Sequence, residues 1–285
     1  MNLDALNAIL VKADKLRPIQ ALALQVLKTA GDVDASITEI VNIVKLDDVL
    51  TLKILKYSNS ALYNRGNSEI KSVDEALKRL GLNALIKIVL ASASSSYFDN
   101  AGEGYGLSRG ELWRHSVASA GVSQRLAEFT GFPEKEALFT SCILHDIGKT
   151  VLDVFIAGKR DEIKLSFSKG NTVFTKVEVD ILGLDHAALG GKILDKWAVP
   201  SQIADAVRWH HDPEKLGASS DLAWHVHISD LLCLMVGVGL GVDGLSYEGK
   251  TDRFAKYGIK EGDLQRLLII AVEELERANQ WLEGA

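Results

Sequence analysis

The sequence predicts an all-α protein, with an N-terminal helical lobe packed on a second, multi-helix lobe, and three observations carry that prediction. Only four of the 285 residues are proline, and long Ala/Leu/Lys/Glu-rich stretches favour helix. Apolar residues recur at helical spacing in segment after segment. No run alternates with the period of two that marks a half-buried strand.

The elements follow in order. Residues 16–30 (LRPIQALALQVLKTA) place apolar side chains at helical spacing and stop at Gly31, a favourable helix end. Ser36 and Glu39 have the spacing of a capping box that opens a second helix. A further helix is expected over Thr51–Ser58, followed by a loop through YNRGNSEI. Ser72 and Glu75 repeat the capping signature before a helical stretch that Gly81 divides in two. Residues 97–110 (YFDNAGEGYGLSRG) are glycine-rich and aperiodic, and read as a linker or a long loop at a subdomain boundary. Beyond it, LWRHSVASAGVSQRLAEF, EALFTSCILHDIGK, HAALGGKILDKW, PSQIADAVRWHH and DLAWHVHISDLLCLM all read as helical, as does the C-terminal EGDLQRLLIIAVEELERANQWLE. The expected division is a first lobe over residues 1–100, with no catalytic residue, and a second over 101–285.

Composition narrows the function. A net charge of −6 argues against a chain whose main task is coating nucleic acid, so no nucleic-acid partner is expected. The longest apolar run, LLCLMVGVGLGV at 231–242, is too short and too rich in glycine to span a bilayer. Burial in the core is its expected fate, and that of the C-terminal helix, with docking of a partner as the alternative. The N-terminus has no basic n-region. Cys142 and Cys233 lie in apolar segments without CxxC spacing and are expected as free buried thiols in a reducing cytoplasm.

The chemistry is concentrated in the histidines. All seven, His115, His145, His186, His210, His211, His225 and His227, fall between residues 115 and 227. Singly, each has a bland reading as a core or surface side chain. Jointly, imidazoles and carboxylates form a ligand set suited to Fe, Mn, Ni or Zn, and helices of a bundle can aim such ligands at one interior point. The adjacent pair His145–Asp146 within SCILHDIGKT needs such an explanation, because isolated buried charges are costly.

In the order His115, His145–Asp146, Asp230 the chain resembles the H…HD…D signature of the HD superfamily of metal-dependent phosphohydrolases, and HDIGK matches the common form of the central motif. The first half, SITEIVNIVKLDDVLTLKILKYSNSALYNRG followed by IKSVDEALKRLGLNALIKIVLA, resembles the N-terminal helical part of the HDOD family of bacterial regulatory modules. LWRHSVASA, HAALGGKILDKWAVP and IADAVRWHHDPEK resemble that family's later segments. The resemblance spans most of residues 16–235. It implies an HD-type second lobe holding one or two divalent transition metal ions. One ion would take His115, His145, Asp146 and Asp230; a second would take His186, His210 and His211, with Asp146 bridging. Two such ions supply the Lewis acidity for attack on phosphorus.

Lys149 has two readings, a surface lysine after a turn or a cation holding a phosphate oxygen, and the resemblance favours the second. Asp146 and Lys149 are thus the candidate catalytic residues. Glu111, one turn before His115, is expected to be an exposed glutamate rather than a further ligand. His225 and His227 match no ligand position. The chain departs from HD-GYP phosphodiesterases, reading HHDPEKLGASSD where those place a GYP-containing loop, which puts cyclic-dinucleotide recognition in doubt. Three functions follow: an HDOD signalling module with a retained metal site, a metal-dependent phosphohydrolase, and a metal-free interaction scaffold. The expected partners are a phosphate-containing small molecule or a protein of a signalling pathway.

Overall fold

The computed structural model describes residues 3–16, 41–42, 44–45, 48–59, 64, 68–98, 100–168, 173–242, 246 and 250–283. Among them are thirteen α-helices and no strand, the all-α architecture the periodicity predicts. The readings at Gly31 and at the Ser36/Glu39 capping box lie outside the described residues. The chain divides into two compact units, Met1–Leu16 with Tyr97–Leu275, and Arg17–Ser96 with Glu276–Ala285. The expected lobes are contiguous in sequence; these units are not. No described helix is long and apolar enough to cross a membrane.

In the smaller unit, α2 (Asp48–Ser58) packs on α3 (Val73–Leu80). Ser72 caps α3 by accepting from the Glu75 N–H at 3.1 Å, and Glu75 in turn accepts from the Lys71 N–H at 3.0 Å. Gly81, at φ 80°, then breaks the chain before α4 (Leu82–Phe98), because a left-handed φ is costly for residues with a Cβ.

The larger unit contains α1 (Leu3–Lys15), α5 (Glu111–Thr130), α6 (Lys135–Leu144), α7 (Ile147–Ala157), α8 (Arg160–Ser168), α9 (Phe174–Leu182), α10 (His186–Lys196), α11 (Ser201–Arg208) and α12 (Asp221–Met235), and most of α13 (Glu261–Glu283). Helix α12 is buried on every side from Leu222 to Leu234, as befits a helix apolar all round. It packs on α5, α6 and α11, while α10 packs on α7 and α11. The polar members of α12 therefore face other helices rather than water.

The glycine-rich segment is more than a linker. Tyr105 is fully buried, with Ala101 and Leu107 beside it in the core. Gly104 makes that path possible, since a Cβ there would lie 2.0 Å from the Asp153 carbonyl oxygen. The run 231–242 is buried through Leu234 and again at Val238, while Met235, Leu240 and Val242 are exposed. Cys142 and Cys233 are both free, and burial raises the thiol of Cys233 to about 12 and that of Cys142 further.

Candidate metal centre

The centre forms where α6 ends. His145 and Asp146 occupy the break between α6 and α7, so both side chains project from a helix junction into the unit's interior. His115 comes from the second turn of α5, His186 from the first turn of α10, and His210 and His211 from the turn after α11. Asp230 comes from the middle of α12. The structure brings all of these side chains together. Ligand-capable atoms of His115, His145 and Asp146 lie within 4.8 Å of one another, as do those of His145, His210 and Asp230, and those of His186, His210 and His211.

Glycines allow the close approach. A Cβ on Gly148 would sit 2.0 Å from the His186 carbonyl oxygen, so α7 and the start of α10 touch backbone to backbone. Gly239, at φ 77°, would place a Cβ 2.7 Å from His115 Nδ1.

Hydrogen bonds fix the tautomers. The Nδ1 atoms of His145 and His210 each lie 2.7 Å from a backbone carbonyl oxygen, of Cys142 and Val207. His115 Nδ1 lies 3.1 Å from the Val238 carbonyl. A carbonyl only accepts, so Nδ1 carries the proton and the Nε2 lone pair points inward. His186 reaches the same state through Glu178, whose Oε2 lies 2.7 Å from its Nδ1.

The inward lone pairs then crowd one another. His115 Nε2 is 3.2 Å from His145 Nε2 and 2.9 Å from Asp230 Oδ1; His186 Nε2 is 2.9 Å from His211 Nε2. A shared proton or a metal ion satisfies atoms placed this close. Asp146 sits between the two groups, with Oδ2 3.5 Å from His145 Nε2 and 3.8 Å from His115 Nε2, and Oδ1 3.4 Å from His186 Nε2. Neither carboxylate oxygen accepts a hydrogen bond, and buried His210 Nε2 has no hydrogen-bond partner. A divalent ion would fit among these atoms, and the Lys149 ammonium lies 3.1 Å from Asp146 Oδ2.

Burial opposes charge on Asp146 and Asp230, yet Lys149 and the surrounding imidazoles hold Asp146, and hydrogen bonds with His115 and His145 hold Asp230, well below the usual carboxylate range. Burial also opposes charge on His145 and His186, but Asp146 and Asp230 raise the first and Glu178 raises the second. Burial and the neighbouring imidazoles push His210 down to about 3, and His211 well below its ordinary value.

Of the two readings of Lys149, the surface lysine is excluded. It is 3% exposed, with Nζ 3.1 Å from Asp146 Oδ2 and 5.4 Å from the centroid of the Tyr105 ring. Glu111 is the partly exposed residue expected, paired with Arg114 at 3.1 Å and accepting from the Ser108 N–H. His227 supports the centre from behind, its Nδ1 donating to the His210 carbonyl at 2.8 Å. His225 stands apart, stacked on Phe132 with centroids 4.2 Å apart. Glu178 and Tyr105 escaped the sequence reading. The available signal for Glu178 was a carboxylate set between Val177 and Val179 on an apolar helix.

A pocket of about 510 Å³ opens beside the second group, and His211 is the one candidate ligand that lines it. Trp209, Lys176, Arg208, Lys215 and Lys250 also face it, with Asp180, Asp185 and Asp212 among the acids.

A family model of the HDOD domain matches residues 16–213. The chain belongs to the HDOD family. That match includes every histidine of the centre and ends before Asp230. An uncharacterized protein of Treponema pallidum (strain Nichols) is 23% identical over 204 residues, 70% of this HDOD chain and 38% of that protein. The chain thus spans well under half of that relative's length. Among solved structures, a Geobacter sulfurreducens HDOD-domain protein of unknown function superposes with a TM-score of 0.77 at 22% identity, covering 98% of this chain and 97% of that one. A Shewanella amazonensis SB2B protein described as a candidate phosphohydrolase gives 0.70 at 22%, covering 96% and 98%. At such identities these likenesses carry the HDOD fold.

Proposed function

We propose that this HDOD protein is a regulatory module built around a dinuclear centre for divalent transition metal ions, Fe, Mn, Ni or Zn. One observation carries the reading: ligand-capable atoms lie within 4.8 Å of one another in each of three overlapping groups, His115 with His145 and Asp146, His145 with His210 and Asp230, and His186 with His210 and His211. One ion is assigned to His115, His145, Asp146 and Asp230, the other to His186, His210, His211 and Asp146. Neither cysteine belongs to the groups of ligand-capable atoms around Asp146. The free state of both cysteines supports a reducing compartment, the cytoplasm. The HDOD match supports the regulatory role.

A second reading, hydrolysis of a phosphate ester, is favoured by Lys149 and by the pocket. Bound divalent ions supply Lewis acidity toward a phosphate oxygen. On the protein side, Asp146 is held ionised beside the Lys149 ammonium, which offers a positive charge to a phosphate at the centre. A pocket of about 510 Å³ admits a small phosphate-bearing molecule to His211. The Shewanella likeness supports this reading at the level of fold.

The test is elemental analysis of protein purified without a chelating tag, beside His145→Ala and Asp146→Ala. Close to two metal equivalents in the unsubstituted protein, reduced in both variants, is the expected result. Metal at background in all three samples would sink both readings and leave an interaction scaffold. With metal present, turnover of model phosphomonoesters and phosphodiesters separates hydrolase from regulator.

A further inference from the structure

Glu178 is fully buried on α9, a helix that supplies none of the assigned ligands. A buried carboxylate is unfavourable unless its oxygens are satisfied. Here Oε1 accepts from the Tyr105 hydroxyl at 2.5 Å, and Oε2 accepts from His186 Nδ1 at 2.7 Å and from the His186 N–H at 3.1 Å. Tyr105 is fully buried and places its ring 5.4 Å from the Lys149 ammonium. One tyrosine therefore borders both the partner of Asp146 and the partner of His186.

This arrangement sets His186 apart. His115, His145 and His210 all rest their Nδ1 on neutral backbone carbonyls. His186 alone among these four rests on a carboxylate, and a carboxylate makes an imidazole more basic and a stronger donor to a metal. The group it belongs to also needs such help more. Its assigned ligands are otherwise imidazoles and one oxygen of the shared Asp146, while the other group has Asp230 as well.

We infer that Glu178 is a positioning residue that sets the affinity of the second metal position through His186, and that Tyr105 holds Glu178 in place. The inference rests on the two-ion reading above. Glu178 also receives the first N–H of α10, so a purely structural role is the competing account, and it predicts a different pattern. Loss of a structural anchor lowers thermal stability and weakens both positions together. Loss of a positioning carboxylate weakens the second alone.

The experiment uses the full chain with Zn²⁺ as the probe, titrated in competition with a chromogenic chelator, on the unsubstituted protein, Glu178→Gln and Tyr105→Phe. Glutamine keeps the shape and one accepting oxygen but removes the charge. Glu178→Gln is expected to keep the first equivalent at its original affinity and to weaken the second about 10- to 100-fold. Tyr105→Phe, which keeps the ring beside Lys149, is expected to weaken the same equivalent by a smaller factor, and it serves alone if Glu178→Gln does not fold. Two equivalents at undiminished affinity in the variants, or equal weakening of both, would overturn the inference while leaving the two-ion reading intact. No Zn²⁺ bound by the unsubstituted protein would overturn that reading, and the inference with it.

Discussion

The two halves of the centre are built from the same chemistry but closed differently. His115, His145, Asp146 and Asp230 are at most 5% exposed, and none lines the pocket. His186 and His210 are just as deeply buried, yet their companion His211 lies on the pocket wall. The sealed half mixes imidazoles with two carboxylates, so an ion there is compensated in charge and cut off from solvent. The open half is chiefly imidazole and reaches solvent through one ligand. The first arrangement suits an ion that is part of the core. The second suits an ion that exchanges or meets a ligand. Asp146 joins them, and breaking it should show how far each half depends on the other.

The largest effect is expected from Asp146→Ala. It removes the shared carboxylate and with it the 3.1 Å ion pair to buried Lys149. Breaking a buried ion pair by removing one member costs about 3–5 kcal/mol. Thermal unfolding of the metal-free protein should show that loss, and elemental analysis should show both equivalents gone. Retention of the second equivalent would mean that the open half assembles without the bridge.

Next comes Gly148→Ala, whose Cβ would meet the His186 carbonyl oxygen at 2.0 Å. The neighbour is backbone, so α7 and α10 must separate, at roughly 1–3 kcal/mol as for other overpacked sites. Denaturant unfolding measures the loss. Zn²⁺ titration should show the second position weakened more than the first, because His186 is the group displaced.

His115→Ala and His211→Ala sharpen the comparison directly. Each is expected to remove one equivalent and spare the other. His211→Ala, at the pocket wall, should alter stability by under about 1 kcal/mol. Loss of both equivalents in either variant, or of neither, would erase the distinction between halves.

The smallest effect is in the pH dependence of the metal-free protein. Burial depresses His210 from the ordinary 6.5 to about 3 in the folded state. Between those values the unfolded chain binds a proton that the folded chain refuses, so this residue makes stability fall as pH falls. His145 and His186, raised by carboxylates, act in the opposite sense: their contribution is present at low pH and is lost as pH rises through their folded values. His210→Gln isolates the first contribution. Relative to the unsubstituted protein it should gain stability steadily as pH drops from about 6.5 toward 3, read by chemical denaturation at each pH.

Much of this was legible in the sequence because its signals are local. The capping pair Ser72/Glu75, the break at Gly81 and the HDIGK turn each depend on residues within a few positions. The side chains that gather around Asp146 were legible through a resemblance in the order and spacing of the histidines. What stayed hidden depends on contacts between distant segments. Tyr105 bonds Glu178 across 73 residues, from a stretch whose glycines suggest a linker. The burial of Lys149 follows from the packing of α7, not from the turn that precedes it. The short helices α8 and α9 carry too little periodicity to be singled out, and with them Glu178 was missed. Within 231–242, the turn after α12 delivers the Val238 carbonyl to His115, a role that an apolar run does not announce.

The most direct test of a centre with two unequal halves is anomalous diffraction from crystals soaked in Zn²⁺, recorded on both sides of the zinc absorption edge. Two anomalous peaks are expected, one among His115, His145, Asp146 and Asp230 and one among His186, His210, His211 and Asp146, the second fading first as chelator is added. A lone peak elsewhere, or none at these side chains, would contradict the account.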